Sequence, residues 1–291
     1  MSAPGPLKEL ADKVLAGVGV YKPKHCMTEN MESIEPGVVP DLDDPSRGSF
    51  MQDQEMCRHA LGALIWICNA YPQATAAVNL LCGNMASPSQ ETLKAVRHVI
   101  MHLLAHPHCV RYGPCDGLER PDRDEDLIAP HSGKLIPYFH FFSDGAPGSE
   151  SRSYTGGVGM LAGGPVHASL GRQHLTAPEM HTMEVVAAGT GLNFCVAIDN
   201  LLQELGIKQG RLTPYYLDSL SSVNVGKRDK AVKLSAWLQR RTLVLHEASD
   251  TEVLIIHIPG TDMLADPFTK YLKYETWRRH MKVLLNRPEA F

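Results

Sequence analysis

At 291 residues, 44% hydrophobic and 21% charged, the chain has the composition of an ordinary globular protein and enough length for one large or two small domains. A net charge of −4 excludes a uniformly basic nucleic-acid coat, although it leaves room for a local basic strip. Seven cysteines, an odd number without CxxC pairing, point to free thiols in a reducing, intracellular compartment. His102, His106, His108, Cys109 and Cys115 lack a recognised zinc spacing. The start, Met1 to Ala16, is amphipathic and unlike a signal peptide. The apolar runs of the chain fall short of the roughly 20 residues that span a bilayer, so no membrane partner is expected.

In chain order, residues 1–50 hold a short helical stretch, Pro6 to Ala16, and then an extended acidic segment. Glu29, Glu32, Glu35, Asp41, Asp43 and Asp44 follow one another there with no intervening Lys or Arg. Residues 51–107 read as a helical unit. Met56, Leu61, Leu64, Ile65 and Cys68 make a stripe near 3.6-residue spacing. A second helix runs from Ala74 to Met85. A third starts at the Ser87-Pro88-Ser89 signal and buries Leu93, Val96, Ile100, Leu103 and Leu104. Residues 108–134, rich in Pro, Gly and alternating charge, read as a surface linker.

From residue 135 to 291 the pattern predicts three strands, a helix, a strand, helical segments, a strand and a helix. The strand-like runs are Leu135 to Phe142, Ser153 to Leu161, Pro165 to Gln173, Leu212 to Leu217 and Val253 to Ile258, with glycines punctuating the early hairpins. The long helix, Glu179 to Leu205, buries Val186, Leu192, Val196, Leu201 and Leu205 or their neighbours and stops at Gly206. Mid-helix Gly189 and Gly191 suggest close packing on a sheet. Thr261 suits an N-cap for a helix from Asp262, which Pro267 must kink or restart. A last helix runs from Tyr274 to Leu285.

Carboxylates punctuate this pattern: Asp144 after the first strand, Glu184 early in the long helix, Asp218 after a later strand and Asp266 before Pro267. Each alone suits a cap, a strand end or a solvated helix face. Their joint order is what points to a divalent-metal site assembled from distant positions.

The motifs around them resemble a known family. Ser143-Asp144-Gly145, Arg152-Ser153-Tyr154-Thr155-Gly156-Gly157, Gly163-Gly164-Pro165-Val166, Met180-His181-Thr182-Met183-Glu184-Val185 and Asp218-Ser219-Leu220-Ser221-Ser222 come in the order of its motifs. The string from Ile258 to Lys270, including Leu264-Ala265-Asp266-Pro267-Phe268-Thr269-Lys270, is the most specific. Together they are similar to the C-terminal part of a copia-type LTR retrotransposon polyprotein: the connection after the reverse transcriptase palm, then ribonuclease H. The chain departs from that pattern at Ser219, where the family has Asn, and at Lys230-Ala231-Val232-Lys233, where it has a His.

The resemblance implies an α/β fold, an RNase H-like mixed five-stranded sheet flanked by helices and preceded by a small helical unit. It implies a metal-dependent endonuclease that hydrolyses the RNA strand of RNA–DNA hybrids. Two Mg²⁺ ions (or Mn²⁺), about 3.5 to 4 Å apart, neutralise the phosphate, activate water and stabilise the leaving oxygen in such chemistry. The implied ligands and catalytic residues are Asp144, bridging both ions, Glu184 and Asp218 on the leaving-group side, and Asp266 on the water side. A polymerase part of the same polyprotein is an implied partner, and a virus-like particle in the cytoplasm, or the nucleus, the implied location.

Lys227 to Arg241 carries six basic residues against one acid. Lys227, Arg228, Lys230 and Lys233 are candidate phosphate contacts, although a solvated helix face reads nearly as well. Trp237 is expected in the core, and His257, within a hydrophobic strand, as structural. Tyr216-Leu217-Asp218-Ser219 only loosely resembles the Y-x-D-D turn of a polymerase palm. The alternative to an enzyme is a decayed RNase H-like module that binds nucleic acid or a polymerase. A DNA nuclease of the same fold class is a third reading, against which the Leu264 to Lys270 string argues.

Overall fold

The computed structural model describes the chain except residues 1–4, 19–26, 29–30, 32–33, 42, 115–117, 119, 122, 133, 149–151, 175–178, 208–209, 211, 228–235, 250 and 291, and the side chains of residues 131 and 236–241. It separates into two units, one of Met1–Val110, Tyr271–Met281 and Glu289–Phe291, the other of Arg111–Lys270 and Lys282–Pro288.

The first unit contains α1 (Gly5–Val14), α2 (Arg47–Ile67), α3 (Thr75–Cys82) and α4 (Gln90–Ala105). α4 begins as the Ser-Pro-Ser signal predicts. The Ser89 hydroxyl accepts from the Thr92 N–H, and Thr92 reciprocates on the Ser89 N–H, which satisfies two otherwise orphaned donors. Its buried stripe is Leu93, Val96, Val99, Ile100 and Leu103. The stripe on α2 is shifted from the predicted one. Cys57, Ala60, Leu61 and Leu64 are buried, whereas Ile65 faces solvent at 49% exposure. Segment 34–41 has no regular secondary structure, and the Asn84 side chain donates to the Ile34 carbonyl at 2.9 Å.

The second unit is built on one sheet of five strands: β1 (His140–Ala146), β2 (Tyr154–Leu161), β3 (Gly164–Arg172), β4 (Thr213–Leu217) and β5 (Val253–His257). Their order is β3-β2-β1-β4-β5. β1 pairs antiparallel with β2, and β2 with β3; β1 pairs parallel with β4, and β4 with β5. The sheet is thus mixed, five-stranded and flanked by helices, as the sequence pattern predicts.

Parallel neighbours need a long crossover, supplied here by α5 (Met180–Glu204) between β3 and β4, and by α6 (Leu220–Lys227) and α7 (Ala236–Ala248) between β4 and β5. Alternation along β1 sets the two faces of the sheet. Phe139 and Phe141 join Val185, Ala188, Leu192, Cys195, Tyr215 and Ile255 in the core under α5. Ser143 follows them, its hydroxyl donating to the Ala187 carbonyl at 3.0 Å. Phe142 takes the opposite face, its ring stacked on Tyr216 at 4.8 Å.

α5 approaches so closely that a Cβ on Gly191 would meet the Ser143 Oγ at 2.5 Å and the Tyr215 hydroxyl at 2.7 Å. Close packing therefore accounts for Gly191. It does not account for Gly189, whose Cβ position is open. By length and composition α5 is apolar enough to cross a bilayer, contrary to the sequence expectation, but its Val185, Ala188, Leu192, Cys195 and Leu202 lie in the sheet core. Leu201 and Leu205, expected inside, are 53% and 67% exposed, and Leu202 is buried instead.

After β5 no α-helix starts at Asp262, and of the two outcomes Pro267 allows the restart is taken, with Asp266 as the first helical residue. A 3-10 turn, Gly260–Asp262, is followed by the one-turn helix α8 (Asp266–Thr269). Pro267 sits in the first turn of α8, where its missing N–H costs nothing and its fixed φ suits a helix start. The chain then closes with α9 (Tyr274–Leu284).

Candidate metal centre

Asp144 lies within β1, paired with Gly156 of β2, rather than beyond the strand end, and is fully buried. Asp218 follows the last residue of β4, and Asp266 opens α8. One carboxylate oxygen from each of the three lies within 4.8 Å of the others. Among the described residues no other group of three His, Cys, Asp or Glu side chains meets that spacing.

Glu184, in the first turns of α5, turns toward the same cluster but stands outside this tight group. It is within electrostatic reach of Asp144 and Asp218 and bonds to the Gly145 backbone. Asp266 is in the tight group and Glu184 is the one set back.

What holds α8 over the sheet is Gly156. A Cβ there would collide with the Thr269 methyl and crowd the Ala265 carbonyl at 3.3 Å and the Phe268 Cβ at 3.4 Å. The bare strand surface lets α8 lie flat and delivers two donors to Asp144. The Thr269 hydroxyl donates to Asp144 Oδ2. The Lys270 Nζ stands 3.2 Å from Asp144 Oδ1, 2.9 Å from Asp266 Oδ1 and 4.0 Å from Asp218 Oδ2.

Neither Thr269 nor Lys270 was assigned a role from sequence, although both belong to the most specific string. The signal available was the Asp266–Lys270 separation, which aligns an acid and a base on one helical turn.

Charge density marks the cluster. Burial pushes the Glu184 carboxyl up to about 8, with Asp144 and Asp218 adding to it and Lys270 and the Gly145 bond opposing. Burial, then the Asp144 charge, raises Asp266 to about 6. Asp144 is raised too, by burial, against the pull of Lys270 and Thr269. Burial works against the Lys270 ammonium, but Asp144, Asp266 and Asp218 together outweigh it and hold its pKa above the ordinary lysine value. Among the described residues, four carboxyl groups thus face one ammonium, a surplus of acidic groups whose ionised form a divalent cation would favour. The donors are all oxygen, which suits Mg²⁺ or Mn²⁺ rather than a thiolate- or imidazole-seeking metal.

The residues behind the carboxylates are hydroxyls and imidazoles. Ser219 caps α6, its Oγ accepting from the Ser222 N–H at 3.4 Å. Ser221 Oγ is 2.9 Å from Ser219 Oγ and from His181 Nδ1, which ties the start of α5 to the turn after Asp218.

His257 was read as interior to a hydrophobic strand. It is the exposed last residue of β5, with Nε2 3.1 Å from the Asp218 carbonyl. Of the four basic candidates, Lys227 is the exposed last residue of α6. Arg228, Lys230 and Lys233, and the Trp237 side chain, lie outside the described residues.

No protein-family model matches the chain, and no curated protein matches it. Solved structures do match. One is LC11-RNase H1, isolated from compost by a metagenomic approach, at 18% identity and a TM-score of 0.36, over 50% of this chain and 99% of that chain.

Proposed function

We propose that the second unit is a divalent-metal-dependent endonuclease of RNase H-like fold that hydrolyses the RNA strand of RNA–DNA hybrids. The observation that carries the reading is the convergence of Asp144, Asp218 and Asp266, from a strand, the turn after a second strand and a one-turn helix, within 4.8 Å, with Glu184 within electrostatic reach of Asp144 and Asp218. Asp144, Asp218, Asp266 and Glu184 would hold the metal. When bound, Mg²⁺ supplies charge neutralisation at the phosphate and a water more acidic than bulk water.

The protein's own part is positional. Burial of Asp144 under α8 fixes its carboxylate, and Thr269 fixes which oxygen points inward. His257 and the Ser219 cap fix the backbone immediately after the Asp218 side chain. Selection for a hybrid would come from 2′-hydroxyl contacts on one strand and DNA-like geometry on the other. The motif order from Ser143 to Lys270 supports descent from a copia-type polyprotein, with its polymerase part as a partner and a cytoplasmic particle or the nucleus as its place of work.

A second reading, a decayed module that binds nucleic acid or a polymerase without cutting, is favoured by one observation: an internal ammonium already sits among the aspartates. The two readings part on a single assay. A labelled RNA–DNA hybrid incubated with the full chain is expected to be cut on the RNA strand with Mg²⁺ or Mn²⁺ and to stay intact in EDTA. Binding without cutting in either metal selects the decayed module.

A further inference from the structure

Asp144 is engaged at both oxygens by donors from one short stretch of chain. Oδ2 accepts from Thr269, and Oδ1 faces the Lys270 ammonium at 3.2 Å. The same ammonium lies 2.9 Å from Asp266 Oδ1 and 4.0 Å from Asp218 Oδ2. It therefore stands against the same three side chains that form the tight carboxylate group.

Two further features make this seat a reversible one. The Lys270 side chain is 36% exposed, so a path to solvent is open to it, whereas Asp144 is sealed. The lysine stem is four carbons long and freely rotating, and the head is a point charge without fixed directionality. A divalent ion bound to Asp144 and Asp266 would stand within a few ångströms of the ammonium, and like charges that close in a part-buried site repel strongly.

We propose that Lys270 is a resident counter-cation of the aspartate cluster, holding it together without metal and yielding its seat when divalent ions load. Resting on the metal-site reading above, this makes metal occupancy a competition between the chain's own ammonium and the ion. The site is then held shut to weakly available metal and opens only as concentration rises. The charge of Lys270, rather than its shape, sets the threshold.

The test is direct Mn²⁺ binding to the full chain, followed by the loss of the free Mn²⁺ paramagnetic signal, for wild type, Lys270→Gln and Lys270→Arg. Lys270→Gln is expected to bind Mn²⁺ about tenfold or more tightly than wild type, because the like charge is gone. Lys270→Arg, which keeps the charge, is expected to stay near wild type. In the unmodified protein, reaction of Lys270 with an amine reagent, read by mass spectrometry, is expected to speed up when Mn²⁺ is added.

Mn²⁺ binding that is equal or weaker in Lys270→Gln, or a Lys270 reactivity unmoved by bound Mn²⁺, overturns the proposal and leaves the metal site standing. Failure of wild type and both variants to bind Mn²⁺ at all overturns the metal site and this proposal with it. The labelling arm needs no substitution, so a poorly folding variant does not decide the matter.

Discussion

Gly156 and Thr269 touch across the sheet surface with no space for a Cβ between them. That contact sets the height of α8 and so the position of Thr269, Lys270 and Asp266 relative to Asp144. Gly156→Ala is therefore expected to lift α8. A small-to-large change in a packed contact costs about 1 to 3 kcal/mol, measurable by urea unfolding. Loss of Mn²⁺ affinity should accompany it. A Gly156→Ala protein with wild-type stability and metal binding would show that α8 does not depend on this contact.

Asp144→Asn keeps the size of the side chain and an acceptor for Thr269 while removing the buried charge. Cleavage of the hybrid should fall about 100-fold or more, because the charge that holds metal is lost. Thermal stability in EDTA should not fall, since burial already disfavours the charged form. Hybrid binding should persist or improve. Retained cleavage would remove Asp144 from the site.

Glu184 gives a pH signature. Its carboxyl is raised from 4.5 to about 8 in the folded protein, so the folded state holds a proton that the unfolded chain releases. Such a group contributes stability that is complete below about pH 4.5 and is lost as pH rises through about 8. Glu184→Gln cannot lose that proton. Without metal, the wild type should match the variant near pH 4.5 and become progressively the less stable of the two toward pH 8.5. Taking the difference between the two proteins removes the contribution of Asp266, which has the same sign, and of buried His102 and His140, which have the opposite one. A stability difference independent of pH would mean that Glu184 is neither buried nor crowded by the aspartates in the way the structure shows.

The basic strip makes a prediction about salt. Changing Lys227, Arg228, Lys230 and Lys233 together to Gln should weaken hybrid binding alike for all sequences. Each lost phosphate contact should flatten the plot of log affinity against log salt by about 0.7 to 0.9. Cleavage at saturating hybrid should continue. An unchanged slope identifies the strip as a solvated face and puts docking elsewhere.

Local chemistry wrote much of this fold legibly. The Ser89 cap, the Gly206 stop with its φ of 81°, the aliphatic, largely β-branched run of β5 and the order of four carboxylates are all near-neighbour patterns, visible because helix and strand periods repeat within a few residues. Tertiary structure decided the rest. Which carboxylate stands back, that Gly191 but not Gly189 is pressed against the sheet, and that His257 leaves the core depend on how α5, α8 and β5 end relative to one another. The Lys270–Asp144 pair joins residues 126 positions apart. No periodicity encodes such a contact, because its energy comes from burial and charge crowding that exist only once the sheet has brought distant segments together.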